Sequence, residues 1–81
     1  MKQPILLFAR AAELAGTTRL EITLPAHATI ADLRKTLLEQ VPALQSFAGT
    51  LFIALNNKYA DDTDVIPDKA EIACFPPVSG G

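Results

Sequence analysis

The sequence predicts an α+β fold: a mixed sheet of four to five strands with one main helix packed across one face. Three observations predict it. Several short runs have the length or the alternation of strands, and one longer stretch, "TIADLRKTLLEQV" (Thr29 to Val41), has helical spacing. In addition, 49% of the 81 residues are apolar and 20% are charged. That balance supplies one modest core, since a chain of this size buries about 60–65% of its unfolded surface. It also excludes intrinsic disorder, which needs low hydrophobicity and high net charge.

The elements follow in order. "PILLFA" (Pro4 to Ala9) is a continuous apolar run, which fits a central strand buried on both faces and parallel to a neighbour. "RAAELAG" (Arg10 to Gly16) contains good helix formers and predicts one or two turns stopped by Gly16. "RLEITL" (Arg19 to Leu24) alternates, with Leu20, Ile22 and Leu24 on one face and Arg19, Glu21 and Thr23 on the other. That is a half-exposed strand, and Pro25 ends it. In the main helix Thr29 is the N-cap, and Asp32 three residues on gives a shortened capping box. Ile30, Leu33, Leu37, Leu38 and Val41 form its apolar stripe. Pro42 closes it, because the residue before a proline is pushed out of the α region.

"PALQSFAG" (Pro42 to Gly49) reads as a connector with Leu44 and Phe47 tucked beneath it. "LFIAL" (Leu51 to Leu55) is a strand, and Asn56 and Asn57 make a turn, since Asn tolerates positive φ. "KYA" is a short return strand, "DDTDVIPDKA" an acidic loop, and "EIACF" (Glu71 to Phe75) the last strand. If the first and last strands pair in parallel at the centre, with the helix across one face, the arrangement is the β-grasp, or ubiquitin-like, fold. The expected division is a β-grasp domain over 1–75 and an extended functional tail over 76–81.

Composition excludes several function classes. Net charge is −2 and the seven Lys and Arg are scattered, so no nucleic-acid partner is expected. No run approaches the ~18 apolar residues of a membrane span, so no membrane partner is expected either. The apolar run near the N-terminus is too short for the core of a signal peptide, and the protein reads as cytoplasmic. Cys74 stands alone, which permits no internal disulfide and no Cys₄ metal site. Set among apolar neighbours with no cation close in sequence, it reads as an inert buried thiol. Asp61, Asp62, Asp64 and Asp68 lack the Gly and terminal Glu of a calcium loop and read as a solubilising surface. Arg10 reads as a solvated helix-start residue. His27 precedes the main helix, and no chemical role is expected for it. No metal is expected.

The most informative stretch is "FPPVSGG" (Phe75 to Gly81). Pro76 and Pro77 donate no ladder hydrogen bonds, so the last strand ends there, and adjacent prolines favour extended geometry. From Pro76 to Gly81 the chain reaches about 20 Å at ~3.3 Å per residue. Val78 offers one apolar grip. Ser79, Gly80 and Gly81 are narrow enough for a channel that excludes larger side chains. A terminal carboxylate is ionised at neutral pH and is a poor acyl donor, so acyl chemistry there requires activation by an ATP-consuming partner. The chain has no P-loop pattern with which to activate itself.

These residues carry a resemblance that runs through nearly the whole chain. "LLFARAAELAG", "TIADLRKTL", "ALNNKYA" and, most specifically, "FPPVSGG" resemble the small, sulfur-carrying subunits of molybdopterin synthases. The resemblance implies a non-catalytic carrier. Gly81 would be adenylated by an E1-like adenylyltransferase and converted to a thiocarboxylate, with a cysteine desulfurase or rhodanese-like protein as sulfur donor. Gly80 would thread the active-site channel of the large subunit, where sulfur passes to cyclic pyranopterin monophosphate. No cofactor would be bound, and ATP would be consumed by the activating partner. One departure stands out. The family usually has Gly in the turn before the last strand, where "PDKAEI" places Lys69 and Ala70. The alternatives are a carrier for thiamine thiazole synthesis or tRNA thiolation, or a ubiquitin-like modifier or binding module. The thiazole carriers tend to lack the Pro-Pro step.

Partner contacts are expected at the root of the tail. Phe75 shares a strand face with Glu71, while Ile72 and Cys74 point the other way. If Ile72 and Cys74 face the helix, Phe75 is an exposed interface anchor; otherwise it packs inside. Phe8 joins it if the parity of the first strand allows. Tyr59 is a further candidate contact, and Pro76, Pro77, Val78 and Ser79 complete the expected binding segment.

Overall fold

The computed structural model describes residues 1–47 and 49–76. A five-stranded sheet has the order β2-β1-β5-β3-β4. Its strands are β1 (Lys2–Leu7), β2 (Arg19–Thr23), β3 (Phe52–Leu55), β4 (Lys58–Tyr59) and β5 (Ile72–Phe75). The two helices are α1 (Ala9–Ala15) and α2 (Ile30–Gln40), and a 3₁₀ turn spans Pro42–Phe47. β1 and β5 pair in parallel at the centre, and every other pairing is antiparallel. This is the β-grasp arrangement.

The inner face carries the core. Ile5, Leu7, Ile22, Ile53, Ile72 and Cys74 come from the strands, and Ile30, Leu33 and Leu37 from α2. All are buried, and each large aliphatic side chain removed from water contributes about 1.5–3 kcal/mol before entropy is counted. α2 starts where its sequence says. The Thr29 hydroxyl accepts from Asp32 N at 3.3 Å, and the Asp32 carboxylate accepts from Thr29 N at 2.9 Å. The acidic loop is tied to the same helix end: Ile30 N donates to Asp64 O and Ala31 N to Asp62 O. Arg34 reaches back to the Asp62 carboxylate at 3.2 Å and to Leu51 O at 2.7 Å. Backbone carbonyls of the loop and the Asp62 carboxylate therefore tie it to the helix.

One sequence expectation needs correction, and two others hold. β1 is central, but it is not buried on both faces: Ile5 and Leu7 point inward while Leu6 is 42% exposed. The physical reason is that the helices cover one side of the sheet only. The connector after α2 is a 3₁₀ turn, with Leu44 buried and Phe47 packed against the core. The chain also has a second true helix, seven residues long, which Gly16 ends in the left-handed region at φ 74 as its position predicts.

Pro4 has a consequence invisible in pattern. In the parallel ladder Phe8 N donates to Cys74 O. Four residues earlier the equivalent donor would be Pro4, which has no N–H. The buried Gln3 side chain supplies it, donating from Nε2 to Ala70 O at 3.0 Å and to Pro4 O at 2.8 Å. A buried carbonyl is thus satisfied by a side chain where the backbone has no donor.

The turn before β5 keeps its left-handed residue without glycine: Lys69 sits at φ 59. A side chain in that region costs about 1–2 kcal/mol, partly offset by the chain entropy that a glycine would lose. Lys69→Gly is expected to raise stability by about 0.5–1 kcal/mol, read as a higher denaturation midpoint at an unchanged slope. An unchanged or lower midpoint would show that the turn is unstrained.

Candidate functional site

The site is built on the sheet face that no helix covers. The β1–β5 register, Leu6 opposite Ala73 and Leu7 opposite Cys74, brings Phe8 beside Phe75 at the end of both strands. Their rings stack with centroids 4.9 Å apart and planes 11° from parallel. On the other side of Phe75 the β3–β5 register places Phe52, which is 46% exposed. Tyr59 on β4 tilts against Phe52 at 5.6 Å and is 78% exposed. One edge of the outer face is therefore an aromatic row, and Pro76 continues directly from it.

Backbone geometry fixes the row. Phe8 N is held by Cys74 O at 3.2 Å, and Phe8 O accepts from Ala11 N and Ala12 N at the start of α1. Ala9 makes the strand-to-helix corner with φ 52. The Phe8 ring is thus placed by a strained corner, as is common beside working sites. The Asn56–Asn57 turn has both residues at positive φ, which suits a two-residue hairpin. Asn56 also bridges to β5: its N donates to Glu71 O and its side-chain oxygen accepts from Glu71 N, each at 2.8 Å. That bridge holds the β3–β4 hairpin, and with it Tyr59, in line with the row.

Of the expected contact residues, Phe8, Phe75 and Tyr59 come together on one surface, and Pro76 follows Phe75 in the chain. Phe75 is half-buried, but by its stacking partner on the outer face and not by the core. Pro77, Val78, Ser79, Gly80 and Gly81 lie outside the described residues. Sequence reasoning missed Phe52; strand alternation in "LFIAL" with Ile53 inward was the available signal. Arg10 pairs with Glu13 at 2.9 Å on the surface of α1, and His27 is an exposed turn residue at φ 62. Among the described residues no three potential ligands converge on a metal position, and no helix is long and apolar enough to cross a membrane.

Cys74 faces the core beneath the row. Burial pushes its thiol up to about 11 from the ordinary 9.0, against a weaker opposing pull from Arg34. The folded chain holds this proton more tightly than the unfolded chain. The associated stability is therefore complete below pH 9.0 and is lost as pH rises toward 11. Iodoacetamide at pH 8 is expected to leave Cys74 unmodified in the folded protein and to alkylate it in denaturant. Rapid labelling of the native protein would contradict the burial.

The ThiS family model matches residues 5–81. The molybdopterin synthase sulfur carrier subunit of Arabidopsis thaliana is 35% identical over 77 residues, covering 95% of this chain and 80% of that one. The subunit of the same name from Chlamydomonas reinhardtii is 35% identical over 83 residues, covering 100% of both chains. Among solved structures, small archaeal modifier protein 1 from Haloferax volcanii superposes with a TM-score of 0.88 at 29% identity, covering 100% of both chains.

Proposed function

This chain belongs to the ThiS family, and on that premise we propose that it is the sulfur carrier subunit of a molybdopterin synthase. The observation that carries the reading is the pair of relatives bearing that name, aligned over nearly the whole chain. The division of labour follows from chemistry. A carboxylate oxygen of Gly81 attacks the α-phosphorus of ATP on an E1-like adenylyltransferase, and pyrophosphate leaves. The terminal sulfur of a persulfide on a desulfurase or rhodanese-like donor then displaces AMP from the acyl carbon, and a thiol cleaves the S–S bond of the resulting acyl disulfide, forming a disulfide with the donor's sulfur and leaving the terminus a thiocarboxylate. Its sulfur is nucleophilic and bonds to cyclic pyranopterin monophosphate in the large subunit, and water then hydrolyses the acyl–sulfur bond, leaving the sulfur on the substrate and a carboxylate on Gly81. ATP and the acid–base groups belong to the partners. This chain supplies a rigid body, a narrow tail over 76–81 with Gly80 and Gly81 at its tip, and a surface by which to be held.

That surface is the aromatic row of Phe8, Phe75 and Tyr59 beside Pro76. An exposed cluster of this kind suits a partner interface, and it lies where the tail leaves the sheet. The test is pyrophosphate exchange into ATP by the adenylyltransferase of the same organism. Exchange is expected to require this chain and to be lost when its C-terminal carboxylate is amidated. Exchange that proceeds equally without the chain would overturn the reading.

A second reading has its own support in the likeness to an archaeal modifier protein. Under it the adenylated Gly81 is passed to lysines of other proteins. Chains recovered from cells in isopeptide-linked conjugates would favour that fate.

A further inference from the structure

β2 lies at one edge of the sheet, so part of its backbone faces no neighbouring strand. Leu7 N donates to Thr18 O, and Leu24 N to Met1 O. Along the β1–β2 register the even-numbered residues of β2 therefore bond to β1. Arg19, Glu21 and Thr23 turn their N–H and C=O groups away from it, and all three are exposed. An open edge of this kind is a template for another strand. At Arg19 the chain closes the edge itself. The Thr17 hydroxyl donates to Arg19 O at 2.8 Å and accepts from Arg19 N at 3.2 Å. The Arg19 guanidinium belongs to none of the ion pairs among the described residues.

We propose that the β2 edge fits a second copy of this chain and that Thr17 holds it shut, which keeps the chain monomeric. The residues of the strand specify the occupant. Antiparallel pairing about a two-fold axis at Leu20 sets Arg19 of each copy opposite Glu21 of the other, on the same face. Both cross-strand pairs then join opposite charges, and Leu20 meets its own copy on the inner face. Moving the axis to Glu21 sets that carboxylate against itself, and moving it to Ile22 pairs Glu21 with Thr23 and gains no charge contact. The favourable register is the one that Thr17 blocks. Each ladder bond of the Arg19–Glu21 pairs uses the N–H or the C=O of Arg19, and a hydroxyl that satisfies those groups locally competes with the ladder. β5, which leads into the tail, lies on the far side of β1, so pairing at this edge is independent of the sulfur-carrier reading.

The test is the mass of the purified full chain as a function of concentration, read by sedimentation equilibrium. The wild type is expected to remain monomeric. Thr17→Val keeps the branched shape without the hydroxyl, and is expected to dimerise at concentrations about 10-fold or more below any at which the wild type does. Thr17→Ser keeps the hydroxyl and is expected to behave as the wild type. In the Thr17→Val background, Glu21→Arg sets like charges opposite each other and is expected to return the monomer. Adding Arg19→Glu exchanges the two charges and is expected to restore the dimer, which weakens at high salt. Thermal melts establish that each variant is folded, and Thr17→Ala serves if Thr17→Val is not. A Thr17→Val chain no more dimeric than the wild type, or a dimer that Glu21→Arg leaves intact, would overturn the inference.

Discussion

Deleting Gly81 is expected to abolish sulfur loading of the chain while leaving its fold and its docking surface intact. The truncated chain still ends in a carboxylate, but that group is set back by one residue, about 3.3 Å. Displacement of a reacting atom by about 1 Å already costs on the order of 10²-fold, so adenylation falls below detection. Stability is untouched, because the core and the capping box of α2 lie within residues 5–74. The aromatic row ends at Phe75, so affinity for the large subunit is expected to fall only by the tail's own share. Melting temperature, large-subunit affinity and pyrophosphate exchange measured on one preparation separate these effects. Loading of the truncated chain at the wild-type rate would show that the terminal glycine is not the working residue.

Phe75→Ala is expected to weaken large-subunit binding about 30- to 1,000-fold, the range of a central aromatic anchor. The same change removes one stacked pair with Phe8, which costs about 0.5–1.5 kcal/mol of stability, plus a smaller loss for half-buried area. A core truncation on the same strand, Ile72→Ala, is expected to reverse the ranking. Ile72 is 1% exposed on the inner face, and its loss costs about 2–5 kcal/mol of stability. If Phe75→Ala instead melts the protein and leaves affinity unchanged, the aromatic row is a structural cluster and not a contact surface.

The elements that local chemistry specifies were legible in the sequence. Thr29 and Asp32 marked the start of α2, Gly16 the end of α1, and the alternation of Leu20 and Ile22 the inner face of β2. What a neighbour decides was not. "PILLFA" has no polar alternation to report that Leu6 and Phe8 face out, because an uncovered apolar sheet face and a core hold the same residue types. Only the pairing of β1 with β5 shows Phe8 against Phe75. Gln3 looks like an ordinary exposed residue, since nothing local says that Pro4 leaves Ala70 O in need of a donor. Lys69 shows the converse limit. The turn requires a left-handed residue, and the fold imposes that conformation on a side chain that disfavours it.

Intact-mass spectrometry of the chain after incubation with its adenylyltransferase, ATP, a persulfide donor and a thiol reductant reads the chemistry of Gly81 directly. The expected product carries one sulfur in place of one C-terminal oxygen, and it reverts to the carboxylate when the large subunit and cyclic pyranopterin monophosphate are added. A chain that keeps its original mass under these conditions, or that loads sulfur but never surrenders it to the large subunit, would contradict the assignment as a molybdopterin synthase sulfur carrier.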